Sequence, residues 1–129
     1  MSNEASPVAS LTAVERALDY CYLTTTGRVS REARRIEIWF GTADGRTLYL
    51  MAGSGEKANW VRNLKKVPAA TVEVGGVIRA ASGRVVKDGA EDALARKLLL
   101  EKYAPRYSRS LDEWGRTALP VALDLTGPV

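Results

Sequence analysis

Residues 48–66 read LYLMAGSGEKANWVRNLKK, and the fold turns on how this stretch is understood. Leu48, Tyr49, Leu50 and Met51 form an apolar run of strand length that ends at Ala52. Gly53 and Gly55 then open backbone conformations that other residues avoid, and let another group approach the main chain closely. Trp60, Val61 and Leu64 follow on one face at helical spacing. Strand, glycine loop and helix in that order aim free backbone N–H groups at an anion or a ring edge. The same order also occurs in ordinary tight connections, and the stretch alone does not separate the two. It is not a dinucleotide fingerprint, because GSGEKA lacks the third glycine and no βαβ unit surrounds it.

Working outward, the flanking segments are strands joined by hairpin signals. Tyr20–Thr26 is rich in aromatic and β-branched residues and ends at Gly27. Arg35–Phe40 alternates, with Ile36, Ile38 and Phe40 on one face, and Asp44-Gly45 is expected to turn it back into Leu48–Ala52. Downstream, Pro68 stops the helix, and Ala70–Val74 turns at Gly75-Gly76 into a longer strand, Val77–Lys87, where Gly83 suggests a bulge or bend. Leu119–Leu125 is the last strand. Three further helices are expected: Leu11–Leu18 behind a Ser10 cap with Leu11, Val14 and Leu18 on one stripe; Glu91–Tyr103 behind an Asp88 cap; and a short Ser110–Gly115 turn with Ser110 and Glu113 in capping-box spacing. Six strands joined mostly by hairpins pair antiparallel, and in so short a chain they favour a closed or nearly closed barrel.

Composition bounds the chemistry. The chain has 129 residues, with hydrophobic and charged fractions at the globular average, so residues 10–129 are expected to form one domain behind a loose tail at 1–9. No apolar run approaches the ~20 residues of a membrane-spanning helix, and MSNEASPVAS lacks the features of a secretion signal. The single cysteine, Cys21, excludes an internal disulfide, fits a reducing, cytoplasmic setting and is expected to be a small buried hydrophobe. There is no histidine, which excludes Ser-His-Asp and Cys-His mechanisms and, with one cysteine, most zinc sites. Chemistry must then rest on tyrosine, lysine, carboxylates, backbone dipoles or a cofactor. Arg28, Arg31, Arg34 and Arg35 are offset locally only by Glu32, so much of the net +4 sits in one segment. That cluster suits a small phosphate or polycarboxylate ligand better than nucleic acid, for which no aromatic RNA-binding motif or helix-turn-helix pattern is present. A solvated basic strand face is the plainer reading of Arg34 and Arg35.

Three blocks, LTTTGRVSREARR (23–35), GSGEKANWVRNLKKVP (53–68) and KYAPRYSRSLDEWGRTALPVALDL (102–125), resemble in order and spacing the deazaflavin-dependent nitroreductase family. That family belongs to the flavin-binding split β-barrel superfamily, alongside pyridoxamine phosphate oxidases. The resemblance implies a mainly β fold with flanking helices, a six-stranded antiparallel split β-barrel, and an oxidoreductase that uses reduced coenzyme F420 to pass hydride to a quinone, nitro compound or similar acceptor. Flavin mononucleotide is the alternative cofactor, and a non-catalytic binder of a flavin-like ligand the alternative role. By the same resemblance Arg28, Ser30 and Arg34 hold the coenzyme's phosphate and acidic tail, with Arg31 in reach of the same phosphate. Ala52, Gly53, Ser54, Gly55 and Lys57 lie along the ring, and Trp60 opens the following helix. Tyr103 and Tyr107 stand at the substrate end as candidate catalytic residues, able to orient the acceptor or donate a proton, or merely packed at a helix end. Trp39 falls on the pocket wall. Val29 stands where the family has lysine, Arg31 where it has glycine, and Ser110-Leu111 where a third tyrosine is expected. Barrels of this type often pair, so a homodimer is the expected assembly.

Overall fold

The computed structural model describes residues 10–129; the expected tail at 1–9 lies outside them. Seven strands form one antiparallel sheet: β1 (Cys21–Thr26), β2 (Ala33–Ile38), β3 (Gly41–Thr42), β4 (Thr47–Ala52), β5 (Ala69–Val74), β6 (Val77–Val85) and β7 (Leu119–Pro128). Their order is β2-β1-β5-β6-β7-β4-β3. The two edge strands, β2 and β3, are therefore neighbours in sequence, separated only by Trp39 and Phe40. A two-residue link cannot cross a flat seven-stranded sheet whose strands lie about 4.8 Å apart, so the sheet curls until its edges meet. The architecture is the expected split barrel, with one more strand than the sequence suggested.

The extra strand is the main departure. Ile36, Ile38 and Phe40 do face the interior side, but β2 pairs with β1, through Cys21 opposite Ile38, and not with β4. The Asp44-Gly45 turn joins β3 to β4, pairing Gly41 with Tyr49 and Thr42 with Leu48. At the break, Phe40 has left the ladder and its main-chain groups are taken by helix α3 (Gly89–Tyr103). The Phe40 N–H donates to the Tyr103 hydroxyl at 3.0 Å, and its carbonyl accepts from Lys102 Nζ at 2.9 Å.

Two apolar layers explain why β4 and β7 lack alternation in the sequence. Leu48, Leu50, Val121 and Leu123 point into the barrel with Leu23, Phe40, Val61, Leu64, Val72 and Val74. Tyr49, Met51 and Ala122, on the opposite face of the same strands, meet Ala95, Leu99 and Tyr103 of α3. Strands covered on both faces are apolar throughout.

Helix α2 (Asn59–Lys66) closes one side of the barrel and positions the site. It sits so close to β6 that a Cβ at Gly83 would come within 2.7 Å of Leu64 Cδ2. Gly83 thus serves close approach; the ladder irregularity expected there lies instead at Ala80/Ala81. The N-terminal helix is also shorter than expected. α1 spans Ala13–Arg16, capped by Thr12 in a capping box with Glu15, so Leu11 is buried while Val14 is 75% exposed. α4 (Asp112–Thr117) has Leu111 at its cap, and the Ser110 hydroxyl accepts from the Asp112 N–H rather than forming a box with Glu113. The Asp88 cap of α3 is as expected, accepting from the Glu91 N–H at 2.9 Å.

Arg84 ties α3 to the sheet. Its Nη1 and Nη2 donate to Glu91 at 2.7 and 2.8 Å, its Nε donates to Asp124 at 2.7 Å, and Glu91 also accepts from the Tyr49 hydroxyl at 2.7 Å. The Arg84 guanidinium, and after it the Tyr49 hydroxyl, hold the Glu91 carboxyl down to about 2, against an ordinary 4.5. A lowered folded-state value means that this carboxylate stabilises the fold above pH 4.5 and that the contribution is lost as pH falls through about 2. Because Arg84 is partly exposed, Glu91→Gln is expected to cost only about 1 kcal/mol at pH 7. Denaturant midpoints of the two proteins, measured against pH, should converge progressively as pH falls from 4.5 to about 2.

Candidate active site

The loop between β1 and β2 is closed by its own main chain. The Gly27 N–H donates to Glu32 O and the Arg31 N–H to Gly27 O, both at 2.8 Å. This ring of residues puts Arg31 at φ 65°, a left-handed conformation that costs a side-chain-bearing residue about 1 kcal/mol. Glycine adopts it freely, which accounts for glycine at this position in the pattern the sequence resembles. Ser30 staples the turn, its hydroxyl accepting from the Glu32 N–H at 3.2 Å and from Arg34 Nη2 at 3.1 Å. The serine proton remains available to an outside acceptor.

This loop and α2 together bound a cleft of about 730 Å³, lined by Arg28, Ser30, Arg34 and Arg35 on one side and by Asn59, Trp60 and Asn63 on the other. Arg28 crosses to α2. Its Nη1 donates to Asn63 Oδ1 at 2.9 Å and Asn59 O at 3.5 Å, and its Nη2 to Asn59 Oδ1 at 3.3 Å. Arg34 pairs with Glu32 at 3.3 Å, and Arg35 with Glu73 at 3.4 Å while lying 4.2 Å over the Tyr22 ring. α2 begins at Asn59 without a side-chain cap, so the positive end of its backbone dipole adds to the arginines. The cleft is built for an anion.

From α2 the chain runs back through residues 53–57. The Lys57 and Ala58 N–H groups close onto Ser54 O and Gly55 O, each at 3.2 Å, and Glu56 pairs with Lys65 of α2. Beyond this loop stands an aromatic wall. A Cβ at Gly53 would lie 3.8 Å from Trp114 Cδ1; the Trp114 ring meets Trp39 edge-on at 5.6 Å; Trp39 stacks on Tyr103 at 4.3 Å and meets Tyr107 edge-on at 5.5 Å. Trp114 is fixed because α4 is pinned to α3: Arg96 Nη1 donates to Gly115 O at 2.9 Å, and Gly115 leaves no room for a Cβ beside Leu100. Asp19, Tyr20, Trp39, Tyr103, Arg106 and Tyr107 line a smaller hollow of about 140 Å³.

The family is settled by comparison. A match to the F420H(2)-dependent quinone reductase family covers residues 4–126. The chain belongs to that family. As a member of it, the chain is an F420-dependent oxidoreductase, with coenzyme F420 as its cofactor. No curated protein matches it. Among solved structures it is similar to an F420-H2 dependent reductase, at 20% identity over 82% of this chain and 94% of that one, with a TM-score of 0.63. It is also similar to a pyridoxamine 5'-phosphate oxidase homologue from Listeria innocua, at 12% identity over 88% of each chain, with a TM-score of 0.65. A third, described as a domain-swapped dimer, is 22% identical over 82% of this chain and 80% of that one, with a TM-score of 0.66. At such identities these three establish the fold.

Of the residues the sequence singled out, Arg28, Ser30, Arg34 and Trp60 line one cleft, and Trp39, Tyr103 and Tyr107 line the smaller hollow. Arg31, Ala52, Gly53, Ser54, Gly55 and Lys57 line neither, the last five forming the bridge between α2 and the aromatic wall. Asn59, Asn63 and Trp114 were missed. Asn63 lay inside the W-x-R-N-L pattern without a role, because nothing in the sequence says that its side chain turns toward Arg28. Cys21 is fully buried and burial pushes its thiol up to about 12, so it is a packing residue.

Tyr103 and Tyr107 differ sharply. Tyr103 is 2% exposed; its hydroxyl accepts from the Phe40 N–H and lies 2.7 Å from Asp19 O, to which it donates, and burial pushes it well above the usual phenol range. Tyr107 is 47% exposed. Tyr103→Phe should therefore destabilise the fold by about 1–3 kcal/mol, chiefly the cost of leaving the buried Phe40 N–H unmet. Tyr107→Phe should leave the thermal midpoint within the noise. Melting curves of the two variants side by side check the contrast.

Proposed function

We propose that the protein reduces a quinone, nitro compound or related organic acceptor with reduced coenzyme F420, holding the coenzyme's phosphate and acidic tail in the arginine cleft and its ring along residues 52–57. The observation that carries this reading is Arg28, drawn into a cleft of about 730 Å³ by asparagines of α2 beside Ser30 and Arg34. Those residues fit the group: an anionic tail meets a guanidinium with no carboxylate on it, a serine hydroxyl and the uncapped end of a helix. Bound reduced F420 supplies a hydride, which is why a chain without histidine suffices.

The remaining work belongs to the aromatic wall. Trp39 and Trp114 offer flat apolar faces to a ring-shaped acceptor next to the glycine loop. Tyr107, with an exposed hydroxyl, is placed to orient the acceptor's oxygen and give it a proton; Tyr103 holds Trp39 in place from below. A cytoplasmic homodimer is the assembly we propose, with Val14, Leu18, Val77 and Ile78 as exposed apolar surface that a second copy would cover.

Titration with coenzyme F420, followed by its own fluorescence, tests the cofactor site. Arg28→Ala with Arg34→Ala should weaken binding by about 2–4 kcal/mol, given about 1.5–3 kcal/mol per charge-assisted contact and a smaller share for Arg34, already paired with Glu32. Unchanged affinity would remove the tail assignment. A yellow protein with a flavin spectrum that ignores F420 would favour flavin mononucleotide. Binding without oxidation by any quinone or nitro acceptor would favour a carrier.

A further inference from the structure

The four arginines of the cleft segment are not equivalent. Arg34 is paired with Glu32 and Arg35 with Glu73, so each has a carboxylate against its charge. Arg31 lies on the strained part of the turn and does not line the cleft. Arg28 alone of the cleft-lining three is held entirely by neutral acceptors, the main-chain and side-chain oxygens of Asn59 and the side-chain oxygen of Asn63.

The geometry of that hold matters. A guanidinium has two edges that can grip a pair of oxygens, and Arg84 shows both in use within this chain: the Nη1–Nη2 end takes Glu91, and the Nε–Nη2 side takes Asp124 at 2.7 and 3.2 Å. In Arg28 the asparagines take the Nη1–Nη2 end. Among the described hydrogen bonds its Nε has no partner and its Nη2 makes one, to Asn59 Oδ1. Arg84 Nη2 serves Glu91 and Asp124 together, so the Nε–Nη2 edge that grips a carboxylate in Arg84 keeps donor capacity in Arg28.

Asn63 is itself immobilised. It is 3% exposed, its Oδ1 also accepts from the Arg28 N–H at 3.1 Å, and its Nδ2 donates to the Thr25 hydroxyl at 3.2 Å. Its amide is thus locked in one orientation, between β1 on one side and the start of the anion loop on the other. A carboxylate at this position would hold Arg28 equally well but would cancel its charge; an amide fixes it and leaves the charge whole.

We propose that Asn63, assisted by Asn59, is a positioning residue that presents the Nε–Nη2 edge of Arg28, uncompensated, to two oxygens of a phosphoryl group. This deepens the cofactor-tail reading above and rests on it for the identity of the ligand.

A double-mutant cycle tests it, read with coenzyme F420 by fluorescence and with inorganic pyrophosphate by calorimetry. Asn63→Ala should weaken binding of both probes about tenfold, the low end for one charge-assisted contact, and the exposed Asn59→Ala about threefold. In an Arg28→Ala background neither change should have any further effect, which a merely structural asparagine would not obey. Equal losses in both backgrounds, or no loss in the wild-type background, overturn the proposal. Should Asn63→Ala fail to fold, Asn59→Ala, on the exposed first turn of α2, decides the question by the same cycle. Wild-type protein that binds pyrophosphate but not F420 overturns the cofactor reading, and the cycle with pyrophosphate still decides the positioning role. Binding of neither overturns both.

Discussion

The two-residue link at Trp39 and Phe40 is the constraint on which the molecule depends. It joins the two edges of a seven-stranded sheet, so every other strand must arrange itself along the curl that lets those edges meet. The link pays no ladder hydrogen bonds of its own, and α3 supplies them: the Tyr103 hydroxyl and Lys102 amine, one residue apart at the helix end, hold both main-chain groups of Phe40. Lys102 sits 3.7 Å over the Phe40 ring, and burial, with Arg106 adding to it, brings its amine down to about 8. The same link turns Trp39 outward onto the Tyr103 ring, so barrel closure and the wall of the acceptor hollow are one feature.

α2 plays the corresponding part on the cofactor side. Val61 and Leu64 anchor it in the barrel interior, and Gly83 lets it sink onto β6. That depth brings Asn59 and Asn63 within hydrogen-bond reach of Arg28, while the glycine loop before α2 starts beside Trp114. The helix is only eight residues long, too short to be stable alone, so its apolar stripe is what makes the cleft exist at all.

Much of this was legible in the sequence, and the parts that were not share a cause. Periodicity and turn residues located the strands, the Asp88 cap and the helix that ends at Tyr103, because those signals are local. The pairing of β2 was not legible: Ile36, Ile38 and Phe40 alternate without a break, and only tertiary competition between β1 and β4 decides where the strand stops. The short α1 was misjudged for a similar reason, since Thr12 and Glu15 outcompete Ser10 as the cap and leave Val14 in solvent. In the site, charge clustering marked the arginines, yet it could not rank them. Whether an arginine is neutralised depends on Glu32 two residues away in one case and on Glu73 across the sheet in the next.

The departures from the family pattern in the anion loop follow from the same local physics. Val29 stands where the family pattern has lysine; it is 86% exposed yet lines the cleft, so the cleft wall carries no charge at that point. Arg31 restores the sign of the loop at a position whose backbone prefers glycine, at the expense of left-handed strain. Held at φ 65° by the Gly27 and Glu32 main chain, its side chain lines no part of the cleft. It therefore adds to the positive charge of the loop rather than a contact within the cleft. That leaves Arg28, fixed by neutral amides in the cleft, as the residue through which the loop and α2 act together on an anion.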